Sequence, residues 1–117
     1  MYLVLFVLHD TNKLNDVLRA WEEVGIRGAT ILPSTGLGRL RQSLGLRDDL
    51  PIMPSLRDFY HFEEGTNRTL FTIVFDEAAI DRLLEATEQV VGPLDQPDTG
   101  LMVVLPAARV YGVSQKE

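Results

Sequence analysis

The two halves of this chain repeat one another, and that constrains the fold more than any single motif. Shifted by 66 positions, Val4-Leu5 falls on Leu70-Phe71, Val7-Leu8 on Ile73-Val74, Asp10 on Asp76, Val17-Leu18 on Leu83-Leu84, Ala20 on Ala86, Glu22 on Glu88 and Val24 on Val90. After a longer second connector, Ile31-Leu32-Pro33 falls on Val104-Leu105-Pro106. Each copy reads as strand, helix, strand. Two such halves are the signature of the α+β ferredoxin-like βαββαβ sandwich, an antiparallel sheet of order 4-1-3-2.

The local patterns agree with this. Residues 2–8 form an apolar run rich in valine and aromatics, bounded by polar residues, which reads as a strand. A helix follows, capped by Thr11 or Asn12, with Leu14, Val17, Leu18, Trp21 and Val24 on one stripe. Trp21 falls on that stripe and is expected in the core. Gly25 stands where the stripe stops, and glycine there closes a helix in the left-handed conformation without steric cost. Strand two covers 29–35 and strand three 69–75. The second helix starts at Asp76 or Glu77 and carries Ile80, Leu83, Leu84, Thr87 and Val91. Strand four covers 101–105, and 109–113 is expected to add one short strand. Pro33 and Pro106 cannot donate a ladder hydrogen bond, which places strands two and four at the sheet edges.

One feature of the strands does not suit a solitary sandwich. Both helices of that fold cover the same sheet face, so the other face should be polar and the strands should alternate. Instead Tyr2, Val4, Phe6 and Leu8 point one way and Leu3, Leu5 and Val7 the other, while Phe71, Ile73 and Phe75 oppose Leu70 and Val74. Such a face exceeds the few hundred Å2 that a soluble monomer exposes, so further copies of the chain are expected to cover it, in closed rotational symmetry.

Composition narrows the function. At 117 residues the chain has the length of one domain, 1–117, and its formal charge of −6 with scattered basic residues argues against nucleic acid as a partner. The absence of cysteine excludes disulfides, thiolate metal sites and cysteine nucleophiles, and favours a cytoplasmic location over secretion. The apolar start lacks a basic flank and meets His9-Asp10, so neither a signal peptide nor membrane insertion is expected. No Ser-His-Asp or phosphate-loop pattern appears, and no enzyme activity is expected.

Chemistry concentrates around the end of strand two. Gly36 and Gly38 flank one apolar residue, so their backbone N–H groups can approach an anion, and Arg39 follows with a fork of donors suited to phosphate. The connection that follows, 40–67, exceeds the roughly 12–15 residues beyond which connections are uncommon in compact domains, and its length suggests a functional or disordered segment. His61 with Glu63 and Glu64, or Asp48-Asp49, could ligate a divalent ion, but one histidine beside acids on a loop is more often solvated. Tyr60, in an alternating segment, reads as a packing residue.

At this point the residues resemble the PII signal-transduction family. The likeness runs through Lys13-Leu14-Asn15-Asp16-Val17, Val24-Gly25-Ile26-Arg27-Gly28-Ala29-Thr30-Ile31, Gly36-Leu37-Gly38-Arg39, Val74-Phe75-Asp76 and Thr99-Gly100-Leu101-Met102-Val103-Val104-Leu105-Pro106. It implies a homotrimeric regulator of nitrogen-regulation type, with effectors in clefts between subunits and a long T-loop, here 40–67, that docks on a target protein. Thr30, Gly36, Gly38, Arg39 and Gly100 become the nucleotide-facing residues. The chain departs from the family where it would hold polyphosphate. Leu101 replaces a lysine, Gly112 and Ser114 replace two arginines, and Leu40 replaces the glutamine that helps bind 2-oxoglutarate. AMP or ADP, or an unrelated anion, is therefore expected ahead of Mg-ATP with 2-oxoglutarate, with Arg41, Arg47, Arg109 or Lys116 as compensating cations. Two other readings share the fold: a trimeric metal-binding protein of the CutA type, and a small ferredoxin-like enzyme.

Overall fold

Strand β1, Tyr2–Leu8, lies in the interior of the sheet because it is the most continuously apolar run in the chain. A computed structural model describes residues 1–37 and 67–113, and β1 there pairs antiparallel with β3 (Asn67–Val74) on one side and β4 (Gly100–Pro106) on the other. Strand β2, Thr30–Ser34, pairs antiparallel with β3, giving the order β2-β3-β1-β4. This is the expected 4-1-3-2 arrangement read from the opposite edge. Pro33 and Pro106 sit on the two edge strands, where a missing N–H donor is tolerated.

Both helices pack on one face. Val4, Phe6, Leu8, Leu70 and Val74 point into a core closed by Val17 and Trp21 of α1 (Leu14–Glu23) and Leu83 and Val91 of α2 (Glu77–Val91). Phe6 and Trp21 meet as tilted rings with centroids 6.3 Å apart. The indole N–H of Trp21 donates to Thr87 Oγ1 at 2.9 Å, and the Thr87 hydroxyl donates to the Leu83 carbonyl at 2.7 Å. Every polar atom of this pair is thus satisfied in a fully buried place, where an orphan would cost about 1–3 kcal/mol.

The repeat in the sequence is also a spatial symmetry. Leu5 and Phe71, one repeat apart, are direct register partners at the centre of the β1–β3 ladder. Trp21 and Thr87, also one repeat apart, are the pair that bonds across the helix interface. A local twofold axis therefore runs through the sheet between Leu5 and Phe71 and leaves between the helices. The repeat's two aspartates also act alike: Asp10 Oδ1 accepts from the Asn12 N–H, and Asp76 Oδ1 from the Ala79 N–H.

Chain ends of the elements follow local chemistry. Gly25, at φ +99°, ends α1 with its N–H on the Glu22 carbonyl, and the Ile26 N–H reaches the Trp21 carbonyl. This double bond pattern is the Schellman closure, and it folds Ile26 back onto the core.

Several expectations are corrected. The cap before α1 is Asp10, serving a short 3-10 turn at Thr11–Lys13, rather than Thr11 or Asn12, because that turn starts the helical run earlier. Leu84 lies half-exposed on the outer side of α2, and Ala86 is buried instead. Residues 109–113 form no strand, and Tyr111 is 83% exposed. The connection expected over 40–67 ends in β3, since Asn67 is its first residue, and the rest lies outside the described residues.

The second sheet face carries no helix among the described residues. Leu3, Leu5 and Val7 are only half-buried there, in register with Ile73, Phe71 and Thr69 on one side and with Leu105, Val103 and Leu101 on the other. Leu101, Leu105 and Leu32 are 57%, 45% and 47% exposed. No described helix is long and apolar enough to cross a membrane.

Candidate functional site

Of the expected effector residues that are described, Thr30 and Gly100 do not come together within one chain. Thr30 opens β2, opposite Phe71, and is exposed at one edge of the sheet. Gly100 opens β4, opposite Leu8, at the other edge. Three inter-strand spacings separate the edges, on the order of 14 Å before the offset along the strands is added. Gly36 lies two residues past β2, half-buried, with open space where a side chain would stand. Gly38 and Arg39 lie outside the described residues, as do Arg41, Arg47, Tyr60, His61 and Lys116.

Gly100 has a structural reason to be glycine. Its φ is +149°, and a Cβ would stand 2.6 Å from the Val7 carbonyl oxygen and 2.7 Å from Phe6 Cε1. No side chain fits between β4 and β1 there. Leu101, beside it, extends over the open sheet face instead of toward an anion.

Around Thr30 the structure forms a real concavity, a cleft of about 770 Å3. One wall is the α1–β2 turn from Val24 to Thr30, and the other is the start of α2 with Asp76, Ala79 and Arg82. The floor is β3 from Phe71 to Val74, which runs past the end of β2; Thr72 Oγ1 donates to the Gly28 carbonyl at 2.6 Å and ties the turn to it. Gly112 and Val113 close the rim. The volume is within the range of small-molecule sites, about 300–1,000 Å3.

The chemistry of the cleft is mixed. Ile26, Phe71, Ile73 and Phe75 make it apolar, while the exposed guanidinium groups of Arg27 and Arg82 bring two positive charges and Asp76 one carboxylate. Gly112, where the resemblance would lead one to expect arginine, contributes no side chain. Arg109 is exposed and is not part of the lining. Sequence reasoning did not single out Arg27 or Arg82. Arg27 sits inside the quoted Gly-Ile-Arg-Gly run, but Arg82 sits in a helix with nothing to distinguish it from a solvated surface residue.

Two other places hold polar groups. At the far end of β3, Thr69 Oγ1 donates to Ser34 Oγ at 2.8 Å, while Asn67 Oδ1 and Thr35 Oγ1 are buried with no hydrogen-bond partner among the described residues. A shallower groove on the outer side of α2, lined by Asp81, Leu84, Glu85, Glu88 and Gln89, is acidic. Among the described residues no group of three His, Asp or Glu side chains is placed to hold a metal ion. Comparison with protein-family models and with curated proteins finds no match for this chain.

Proposed function

We propose that the chain is the subunit of a PII-like homotrimeric regulator. It reads a small effector, AMP or ADP in preference to Mg-ATP with 2-oxoglutarate, in clefts between subunits, and signals to a partner protein through the connection 40–67. The observation that supports this most is the sheet face on which no described helix packs. Leucine, valine, isoleucine and phenylalanine side chains from the strands share it, and another sheet face of the same composition would cover it. That the assembly has three members rather than two comes from the resemblance.

The positions of Thr30 and Gly100 favour the same reading. A ligand that touched both edges of one sheet from a single chain would have to span its full width, whereas adjacent copies in a ring would bring unlike edges together. Signalling would be a population shift: the effector favours one state of the connection, and that state presents the docking surface.

Light scattering after size exclusion is expected to give three times the chain mass of 13.1 kDa. Titration of AMP, ADP, ATP and 2-oxoglutarate into the same material is expected to show adenine-nucleotide binding that Arg39→Ala weakens. A monomer at micromolar concentration would overturn the assembly. Unchanged affinity in Arg39→Ala would remove Arg39 from the site, and tight Cu2+ binding in place of nucleotide would favour the CutA type.

A further inference from the structure

We infer that the backbone edge of β3 at Thr72–Val74 is an acceptor slot for one more strand, and that its occupant is this chain's own segment 114–116, entering past Val113. The inference goes beyond the reading above and needs neither a second copy nor an effector.

The slot follows from the internal symmetry. In one half of the repeat β4 covers β1 to its last residue, with Gly100, Leu101 and Met102 opposite Leu8, Val7 and Phe6. The local twofold carries Leu8, Val7 and Phe6 to Val74, Ile73 and Thr72, and carries Gly100, Leu101 and Met102 to Arg27, Gly28 and Ala29. Those second-half pairings are not made, because the β2–β3 ladder begins only at Thr30 opposite Phe71. One side-chain bond stands there instead, from Thr72 Oγ1 to the Gly28 carbonyl. Connector length is the cause. Residues 92–99 join α2 to β4, whereas 24–26 alone would join α1 to a strand starting at 27. Three residues reach about 10 Å at full extension, and 24–26 are not extended, since the N–H groups of Gly25 and Ile26 are bonded back to Glu22 and Trp21. While α1 keeps its last turn, β2 cannot grow into the slot.

The cleft borders this edge. Thr72 and Val74 belong to the face packed by the helices and Phe71 and Ile73 to the other, yet all four line one concavity of about 770 Å3. Only the margin of the strand is common to both faces. A bare margin of backbone N–H and C=O groups is a template for a further strand.

The chain itself supplies that strand. Leaving β4, it passes the start of β1, where the Ala107 N–H donates to the Met1 carbonyl, and Gly112 and Val113 reach the rim of the cleft. This is the end of the sheet at which β3 finishes, since Tyr2 lies opposite Val74. A segment continuing inward from Val113 runs antiparallel to β3, in the sense of β2, and meets Val74, Ile73 and Thr72 in that order. Ser114, Gln115 and Lys116 include no proline, so each brings an N–H donor. Tethered at the rim, they act at the high effective concentration of a short linker, an advantage that a free peptide lacks.

The test exploits the absence of cysteine from the chain. Ile73→Cys combined with Gln115→Cys puts two thiols directly opposite one another, at a Cβ separation of about 4.5–5.5 Å, close to that of a disulfide. Mild oxidation of this dilute variant is expected to form a bond within one chain, read by mass under denaturing, non-reducing conditions. It is expected to form at least about tenfold faster than in a control that pairs Gln115→Cys with Glu85→Cys, on the outer side of α2. A bond between chains would overturn the inference in favour of a neighbouring copy's segment, and oxidation no faster than the control would overturn it outright. Amide hydrogen exchange checks the same point without added thiols. Gln115→Pro removes a ladder donor and is expected to speed exchange of the slot-facing amide among Thr72–Val74 at least about tenfold, with the β1–β4 ladder unchanged. Equal exchange in the two proteins would overturn the inference. Both readouts concern one chain, so a monomer would sink the trimer and leave this inference standing.

Discussion

Gly100 shows how one residue can look functional for a reason that is mechanical. The sequence marks it as a glycine before a strand, and the resemblance makes it a phosphate neighbour, but its backbone and surroundings alone exclude any side chain. Gly100→Ala is expected to destabilise the fold by about 2–3 kcal/mol, because the new methyl group meets the Val7 carbonyl and the Phe6 ring. Urea denaturation measures this, and a wild-type midpoint would refute the packing account. Nothing in the sequence could separate the two roles, since the contact is with a strand at the other end of the chain. Arg27 and Arg82 were hidden for the same reason. Each is ordinary in its own segment, and only the packing of the α1–β2 turn beside α2 gives them a common cleft.

At the scale of elements the sequence was nearly sufficient. Hydrophobic period located all four strands and both helices, and the two prolines identified the edge strands, because period and backbone donors are local properties. The short strand expected over 109–113 is the instructive difference. Alternation states which face a residue would occupy, but a strand exists only if a ladder partner is present, and none of the described strands supplies one. The helix pair depends on a bond no pattern announced, that of Trp21 to Thr87. Thr87→Val keeps the shape and removes the acceptor, leaving a buried indole N–H unpaired, and is expected to cost about 1–3 kcal/mol. Trp21→Phe in the same background should cost less than the two single changes added together, as expected for partners in one bond. Thermal unfolding of the four proteins closes the cycle, and strict additivity would show that the bond carries no coupling.

For the whole molecule the decisive feature is the sheet face on which no described helix packs. Leu5 lies at its centre, between Phe71 and Val103, on the side away from the core residues Val4 and Phe6. If copies meet through this face as proposed, Leu5→Glu is expected to leave the subunit folded and to give monomers, since a carboxylate buried between copies would lack a partner. Sedimentation velocity reads the outcome. Unchanged mass would mean that copies do not meet through this face.

The placement of Thr30 and of the strand start at Gly100 on opposite margins of one sheet has a further effect. A ligand held between the two margins of adjacent copies would make occupancy and subunit association two sides of a single equilibrium, each strengthening the other by the same factor. The response to effector would then depend on how much protein the cell holds. Dilute protein would answer only to a higher dose, so abundance itself becomes a control on sensitivity.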